Sequence, residues 1–178
     1  MFRPRVIPVL LLHNGGLYKT VRFSDPTYLG DPINAVKIFN DAKADELIFL
    51  DIDRKEAPDY DIISKISEET MMPFSYGGSI HTLDTAVRVF DHGAEKIVIN
   101  SACYDNYDLI TQITAIYGGQ ALVVSIDVRL NESGTHILYS ESGKKVQSIS
   151  LEDHITKCEA AGAGEFFINS IDRDGTFD

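Results

Sequence analysis

The segment Ala44-Asp45-Glu46-Leu47-Ile48-Phe49-Leu50-Asp51-Ile52-Asp53-Arg54 returns, imperfectly, as Ala163-Gly164-Glu165-Phe166-Phe167-Ile168-Asn169-Ser170-Ile171-Asp172-Arg173. Glu46 and Glu165 stand 119 positions apart, and positions 11 and 127, in a second pair of apolar runs, stand 116 apart. A repeat of that length holds about four strand–helix modules, so two copies make an eight-stranded α/β barrel of two halves. Strand-like runs are expected at 5–12, 46–52, 73–77, 96–100, 121–128 and 165–171. They are continuous rather than alternating, as in Leu47-Ile48-Phe49-Leu50, which marks parallel strands covered on both faces. Helices are expected at 32–42, 60–69, 83–91, 106–117 and 151–161. Asp31-Pro32 and Ser150 read as helix starts, and Gly93 and Gly162 as helix stops.

A closed barrel typically takes roughly 200–250 residues. The 178 residues are therefore expected to form a single incomplete barrel domain, 1–178, holding about the first six βα units. A piece ending at Asp178 would expose strand edges and associate through them. Residues 13–31 are long for a strand-to-helix connection and suggest a mobile lid. Residues 129–149 read as a hairpin, with strands around His136-Ile137-Leu138-Tyr139 and Lys144-Lys145-Val146.

A net charge of −11 disfavours general nucleic-acid binding, so a phosphate site must be local and built from backbone N–H groups. Two cysteines, Cys103 and Cys158, have neither metal-ligand spacing nor a disulfide framework. No metal or cofactor is expected. The absence of a signal-peptide pattern and of a long apolar run points to a cytoplasmic protein with no membrane partner.

Asp127 ends the apolar run Ala121-Leu122-Val123-Val124-Ser125-Ile126, on the face where barrel enzymes place their chemistry. It is a candidate general acid or base; alternatively it holds a loop or a nearby cation. Its repeat counterpart, Leu11, is apolar, so a two-carboxylate site has lost one member. Gly77-Gly78-Ser79 and Asn100-Ser101 are strand-to-helix turns with small residues, suited to an anion or to ordinary turn chemistry. Lys19 could close over a phosphate or a carbonyl, or be simply solvated. Asp51, Asp53, Asp172 and Asp174 could line a polar site or cap helices. Arg5, Glu46, Lys96 and Glu165 each begin a strand, where strand starts converge into a charge-balanced ring on the barrel floor, unless each snorkels to solvent.

Arg5-Val6-Ile7-Pro8, Gly30-Asp31-Pro32, Asp45 to Asp51, Gly77-Gly78, Leu109 to Ile113 and Asn169 to Thr176 make the chain similar, over all 178 residues, to the cyclase subunit of imidazole glycerol-phosphate synthase, the ammonia-using barrel of histidine biosynthesis. The resemblance implies a (βα)8 barrel whose N-terminal face docks a glutaminase. Ammonia would pass a gate matching Arg5, Glu46, Lys96 and Glu165. Of the family's two acid–base aspartates, Asp127 matches one and Leu11 stands at the other. Lys19 matches the loop lysine; Gly78, Asn100 and Ser101, with Gly77, match one phosphate site. The Leu10-Leu11-Leu12 strand and Lys19-Thr20-Val21 resemble a divergent branch thought to supply ammonia for amidating a nucleotide-linked sugar in surface-polysaccharide biosynthesis, with a third amidotransferase subunit. The alternatives are a genuine lyase of the histidine pathway, with Asp51 or Asp53 replacing the lost carboxylate, and a scaffold that only activates a glutaminase.

Overall fold

The computed structural model describes residues 4–53 and 55–176. Arg54, quoted above for the repeat, and Asp178 lie outside them. In chain order the first elements are β1 (Val9–His13), β2 (Gly16–Val21), β3 (Ser24–Gly30), α1 (Pro32–Ala42), β4 (Leu47–Asp51), α2 (Tyr60–Glu69), β5 (Phe74–Gly77) and α3 (Leu83–Asp91). There follow β6 (Lys96–Ile99), α4 (Ser101–Asp105), α5 (Asp108–Tyr117), β7 (Leu122–Leu130), β8 (His136–Ser140), β9 (Lys145–Val146), α6 (Leu151–Ala160) and β10 (Glu165–Ser170). The chain divides into two compact units. Unit 1 is Met1–Lys19, Thr27–Ile80 and Asp84–Ile97; unit 2 is Thr20–Pro26, His81–Leu83 and Val98–Asp178.

The architecture is α/β with parallel pairing in each unit, as a stretch of (βα) barrel requires. In unit 1, β1 runs parallel to β4, and β4 parallel to β5. In unit 2, β10 runs parallel to β7. Leu122 to Val128 of β7 are all buried, the two-sided burial that its unbroken apolar run requires. Phe49, Phe74, Ile63 and Ile66 fill the core of unit 1, and Ile110, Ile113, Leu122, Ile126 and Leu138 that of unit 2. The helix starts are chemically specified: Asp31 accepts from the Asn34 N–H at 2.9 Å ahead of Pro32, and Ser150 from the Asp153 N–H at 3.0 Å.

Three boundaries depart from the sequence expectation. β1 begins at Val9 rather than residue 5. Pro8 has no N–H to give a ladder, and the Val6 N–H goes instead to the Asp45 carboxylate at 2.9 Å. The long connection 13–31 holds the strands β2 and β3, with β2 antiparallel to β1. The turn between them runs through Arg22 and Phe23, both with φ above 50°. Such hairpin turns are signalled by Asn or Gly, so Arg-Phe hides one. The third is α4, a short helix that no periodicity announces. The hairpin expected at 129–149 forms as β8 and β9, with β8 antiparallel to β7.

The repeat extends to the architecture. Each half runs strand, antiparallel hairpin, helix, parallel strand: β1 to β4 in the first, β7 to β10 in the second.

Candidate functional site

In unit 2, Asp127 is 7% exposed near the end of β7. It pairs with Asn169 across the parallel ladder and with Tyr139 across the antiparallel one. The Asn100 amide donates to its Oδ2 at 3.0 Å. Burial pushes the Asp127 carboxyl up to about 7; donors from Asn169 and Asn100 pull it back, and the nearby Asp174 charge pushes it further up. A carboxyl poised near neutrality can both give and take a proton at physiological pH. Asn100 precedes α4, and its side chain makes no cap bond; its NH₂ donates to Asp127. The Asn100 Oδ1 and the Tyr104 hydroxyl, both buried, have no hydrogen-bond partner among the described residues. The Ser101 hydroxyl accepts from the Glu141 N–H at 3.0 Å. Asp174 takes the Thr20 hydroxyl at 2.6 Å and the Phe23 N–H at 2.9 Å on one oxygen, while its carbonyl accepts from the Arg22 N–H at 3.0 Å.

In unit 1, Leu11 pairs with Leu50 across the parallel ladder and with Tyr18 across the antiparallel one. The repeat offset carries Leu50 onto Asn169, so the rung Leu11–Leu50 is the counterpart of the rung Asp127–Asn169. Both polar members of that rung are leucine in the first half. Lys19 lies exposed on β2.

Gly77 ends β5, and Gly78 follows with φ +123. A Cβ on Gly78 would sit 2.5 Å from the Asp51 carbonyl oxygen and 2.9 Å from the Asp51 Cβ. The glycine is therefore required by backbone packing, whatever ligand the turn takes. Gly78→Ala is expected to destabilise the protein by about 3 kcal/mol or more, through this overlap and the left-handed backbone. Denaturant unfolding of the variant measures it; a loss below about 1 kcal/mol would show that the β4–β5 corner relaxes freely. Next along, the Ser79 hydroxyl donates to the Lys55 carbonyl at 2.9 Å.

At the strand starts of unit 1, three of the four expected ring charges meet. Arg5 Nη1 lies 2.9 Å and Lys96 Nζ 3.1 Å from Glu46 Oε2. Glu46 is 3% exposed, and its other oxygen accepts from the Ser75 hydroxyl at 2.9 Å. Ser75 was not anticipated; a lone serine inside the strand Phe74–Gly77 was its only signal. Glu165, the fourth charge, begins β10 in unit 2 and is half-buried.

Of the four aspartates near strand ends, Asp174 caps the C-terminal end of the short 3-10 helix Ile171–Arg173, and the other three carboxylates bind side chains and loop N–H groups. Asp51 accepts from Lys55 at 3.2 Å, from the Tyr76 hydroxyl at 3.3 Å and from the Asp53 N–H at 3.0 Å. Burial nevertheless holds the Asp51 carboxyl above its ordinary value. Asp53 takes the Asn14 N–H at 2.9 Å and contacts the His13 ring. Asp172 takes the Leu130 N–H at 3.3 Å and lies 4.0 Å from Arg129 Nε. Among the described residues no group of three or more His, Cys, Asp or Glu could hold a metal ion, and no helix is long and apolar enough to cross a membrane.

Residues 5–178 match the family described as histidine biosynthesis protein. A Pseudomonas aeruginosa protein provisionally named imidazole glycerol phosphate synthase subunit hisF2 is 47% identical over 178 residues, covering 98% of this chain and 71% of its own length. A Vibrio vulnificus protein provisionally named subunit hisF3 is 44% identical over 179 residues, with 98% and 69% covered. The imidazole glycerol phosphate synthase subunit HisF of Thermotoga sp. strain RQ2 is 38% identical over 179 residues, with 99% and 70% covered. With paired half-barrel ladders and almost its whole length matched, the chain belongs to the histidine biosynthesis protein family, among its HisF-type members.

Proposed function

We propose that the chain is an ammonia-receiving synthase subunit in which the acid–base chemistry of the first half has been given up. The observation that carries this is the contrast between two rungs: Asp127 beside Asn169 in unit 2, Leu11 beside Leu50 in unit 1. Leucine cannot move a proton, so a cyclase needing both carboxylates keeps one. The contacts of Glu46 with Arg5 and Lys96 support a retained ammonia entrance, with Glu165 as its fourth charge. A glutaminase subunit docks at the strand-start end and releases ammonia there. The acceptor is a nucleotide-linked sugar of surface-polysaccharide synthesis, amidated with a third subunit. The Gly77-Gly78 and Asn100-Ser101 turns offer backbone N–H groups to phosphate, and Asp127 and Lys19 are the remaining groups for proton transfer and substrate contact.

Two measurements on the full-length protein test this. It is expected not to rescue a cyclase-deficient histidine auxotroph, since each acid–base group typically contributes about 10²–10⁴-fold. In the complex with its glutaminase, Lys96→Ala is expected to reduce glutamine-driven product far more than ammonium-driven product. Equal loss by both routes would sink the entrance. A second reading has its own observation: Asp51 is 9% exposed and held high by burial, a setting suited to a proton donor. Rescue of the auxotroph, abolished by Asp51→Asn, would establish that reading instead.

A further inference from the structure

We propose that His13 is a general base at the strand-end side of unit 1, positioned by Asp53 and acting on a hydroxyl or amine of a small phosphorylated substrate. Only the substrate class rests on the function proposed above; the dyad stands on its own geometry.

His13 closes β1, and its Nδ1 faces Asp53 Oδ1 in a very short contact. A carboxylate only accepts, so Nδ1 carries the proton. The Asn14 amide nitrogen lies 3.0 Å from the other ring nitrogen, Nε2. An amide NH₂ only donates, so Nε2 must accept. When neutral, the imidazole is held as the Nδ1–H tautomer with its lone pair on Nε2, where a substrate donor would take the place of the Asn14 amide. The Tyr18 ring meets the imidazole edge-on at 4.9 Å between centroids and restrains its plane. The side chain is 29% exposed, enough to be reached by a small molecule.

Asp53 is held as the anion. Burial alone would push its carboxyl up, but donors from Asn14, His13 and Lys55 outweigh burial and keep it below its ordinary value. Lys55 Nζ sits 3.2 Å from Asp53 and 3.2 Å from Asp51, and 3.7 Å from Asp59.

The second half separates what the fold requires from what is new. Arg129 and Asp172 occupy the positions that the repeat offsets assign to His13 and Asp53. The same backbone bond recurs: Asn14 N–H to Asp53 and Leu130 N–H to Asp172. Arg129 also lies over the Tyr139 ring, as His13 lies against Tyr18. The strut of a basic side chain facing a carboxylate thus recurs in both halves, looser in unit 2, where Arg129 Nε is 4.0 Å from Asp172 and makes no hydrogen bond among the described residues. In unit 2 it is a guanidinium, which does not release protons. In unit 1 it is an imidazole, two residues from Leu11 and so on the same side of β1. The first half has lost a carboxylate and gained a proton-transfer group two rungs further on.

In the step proposed, the substrate O–H or N–H bond breaks: the proton moves to the Nε2 lone pair and the electron pair stays on the substrate oxygen or nitrogen. The imidazolium, balanced by Asp53, then gives the proton up to solvent or back to the substrate.

Diethyl pyrocarbonate, which acylates unprotonated imidazole, tests the dyad without substrate. In the full-length protein, peptide mapping is expected to find His13 modified at least as fast as the more exposed His81 and His136. Asp53→Asn, nearly isosteric, is expected to slow His13 several-fold and leave the other two unchanged. A His13 slower than both, or indifferent to Asp53→Asn, overturns the proposal. Incorporation of labelled ammonium by the reconstituted complex gives the second arm. His13→Arg copies the strut of unit 2, so the fold is kept while turnover falls about 10²–10⁴-fold. Free imidazole should partly restore His13→Ala. Full turnover in His13→Arg would leave only the strut. If the wild-type complex incorporates no ammonium, the proposed function fails and the acylation arm still decides the dyad.

Discussion

Asp127→Asn is expected to stabilise the protein by on the order of 4 kcal/mol near pH 8 and to change little below about pH 4. The reason is the cost of keeping a carboxylate charged inside β7. In the folded chain the Asp127 carboxyl is pushed up to about 7 by burial, despite the donors on Asn169 and Asn100. Unfolded, it ionises at the ordinary aspartate value. Between those two points the folded state holds a proton that the unfolded state has released. Stability therefore falls as pH rises through this window, and the contribution is fully lost above about 7. Asparagine stands in for the protonated acid at every pH, since its oxygen still accepts from Asn100 while its NH₂ donates as the acid O–H would. Urea unfolding at several pH values reads the result as a wild-type slope that the variant lacks. Parallel curves would mean that Asp127 is ionised in the fold at ordinary pH. The same variant is expected to lose about 10²–10⁴-fold in ammonium-driven turnover. Gaining stability while losing turnover is the signature of a group kept for chemistry.

Glu46→Ala is expected to cost about 3–5 kcal/mol, the range for removing one partner of a buried charge set. Its three contacts do not matter equally. Arg5 is half-exposed, so its pairing is screened and contributes little. Lys96 is 13% exposed at the side chain and the Ser75 hydroxyl is fully buried, so these two suffer the loss. Glu46→Gln keeps an acceptor for Ser75 and should cost less. The double variant Glu46→Met with Lys96→Met should recover much of the deficit, because apolar groups of similar volume remove charge and counter-charge together. Denaturant midpoints for the three variants test this order. A single-variant cost below about 1 kcal/mol would mean that water reaches the cluster.

The parallel strands were legible because two-sided burial leaves unbroken apolar runs such as Leu122-Val123-Val124. The helices were legible because Asp31, Ser150 and Pro32 punctuate them chemically. The β2–β3 hairpin was not, since Arg22 and Phe23 occupy a left-handed turn without its usual residues. Asp127 could be picked from its place in an apolar strand. Its partners Asn100 and Asn169, the seat of Glu46 on Ser75 and the contact of His13 with Asp53 all depend on which residue of one strand faces which of another. Register of that kind is a property of the pairing, and no single segment encodes it. Gly78 was legible as a turn glycine, but its contact with Asp51 comes from a separate strand.

Asp174 touches two things at once. Its backbone and carboxylate grip the turn of residues 20–26, and its charge raises the proton affinity of Asp127. Asp174 thereby ties the seating of this turn and the ionisation of the strand-end carboxyl to one side chain, so a change at that single position is felt at both.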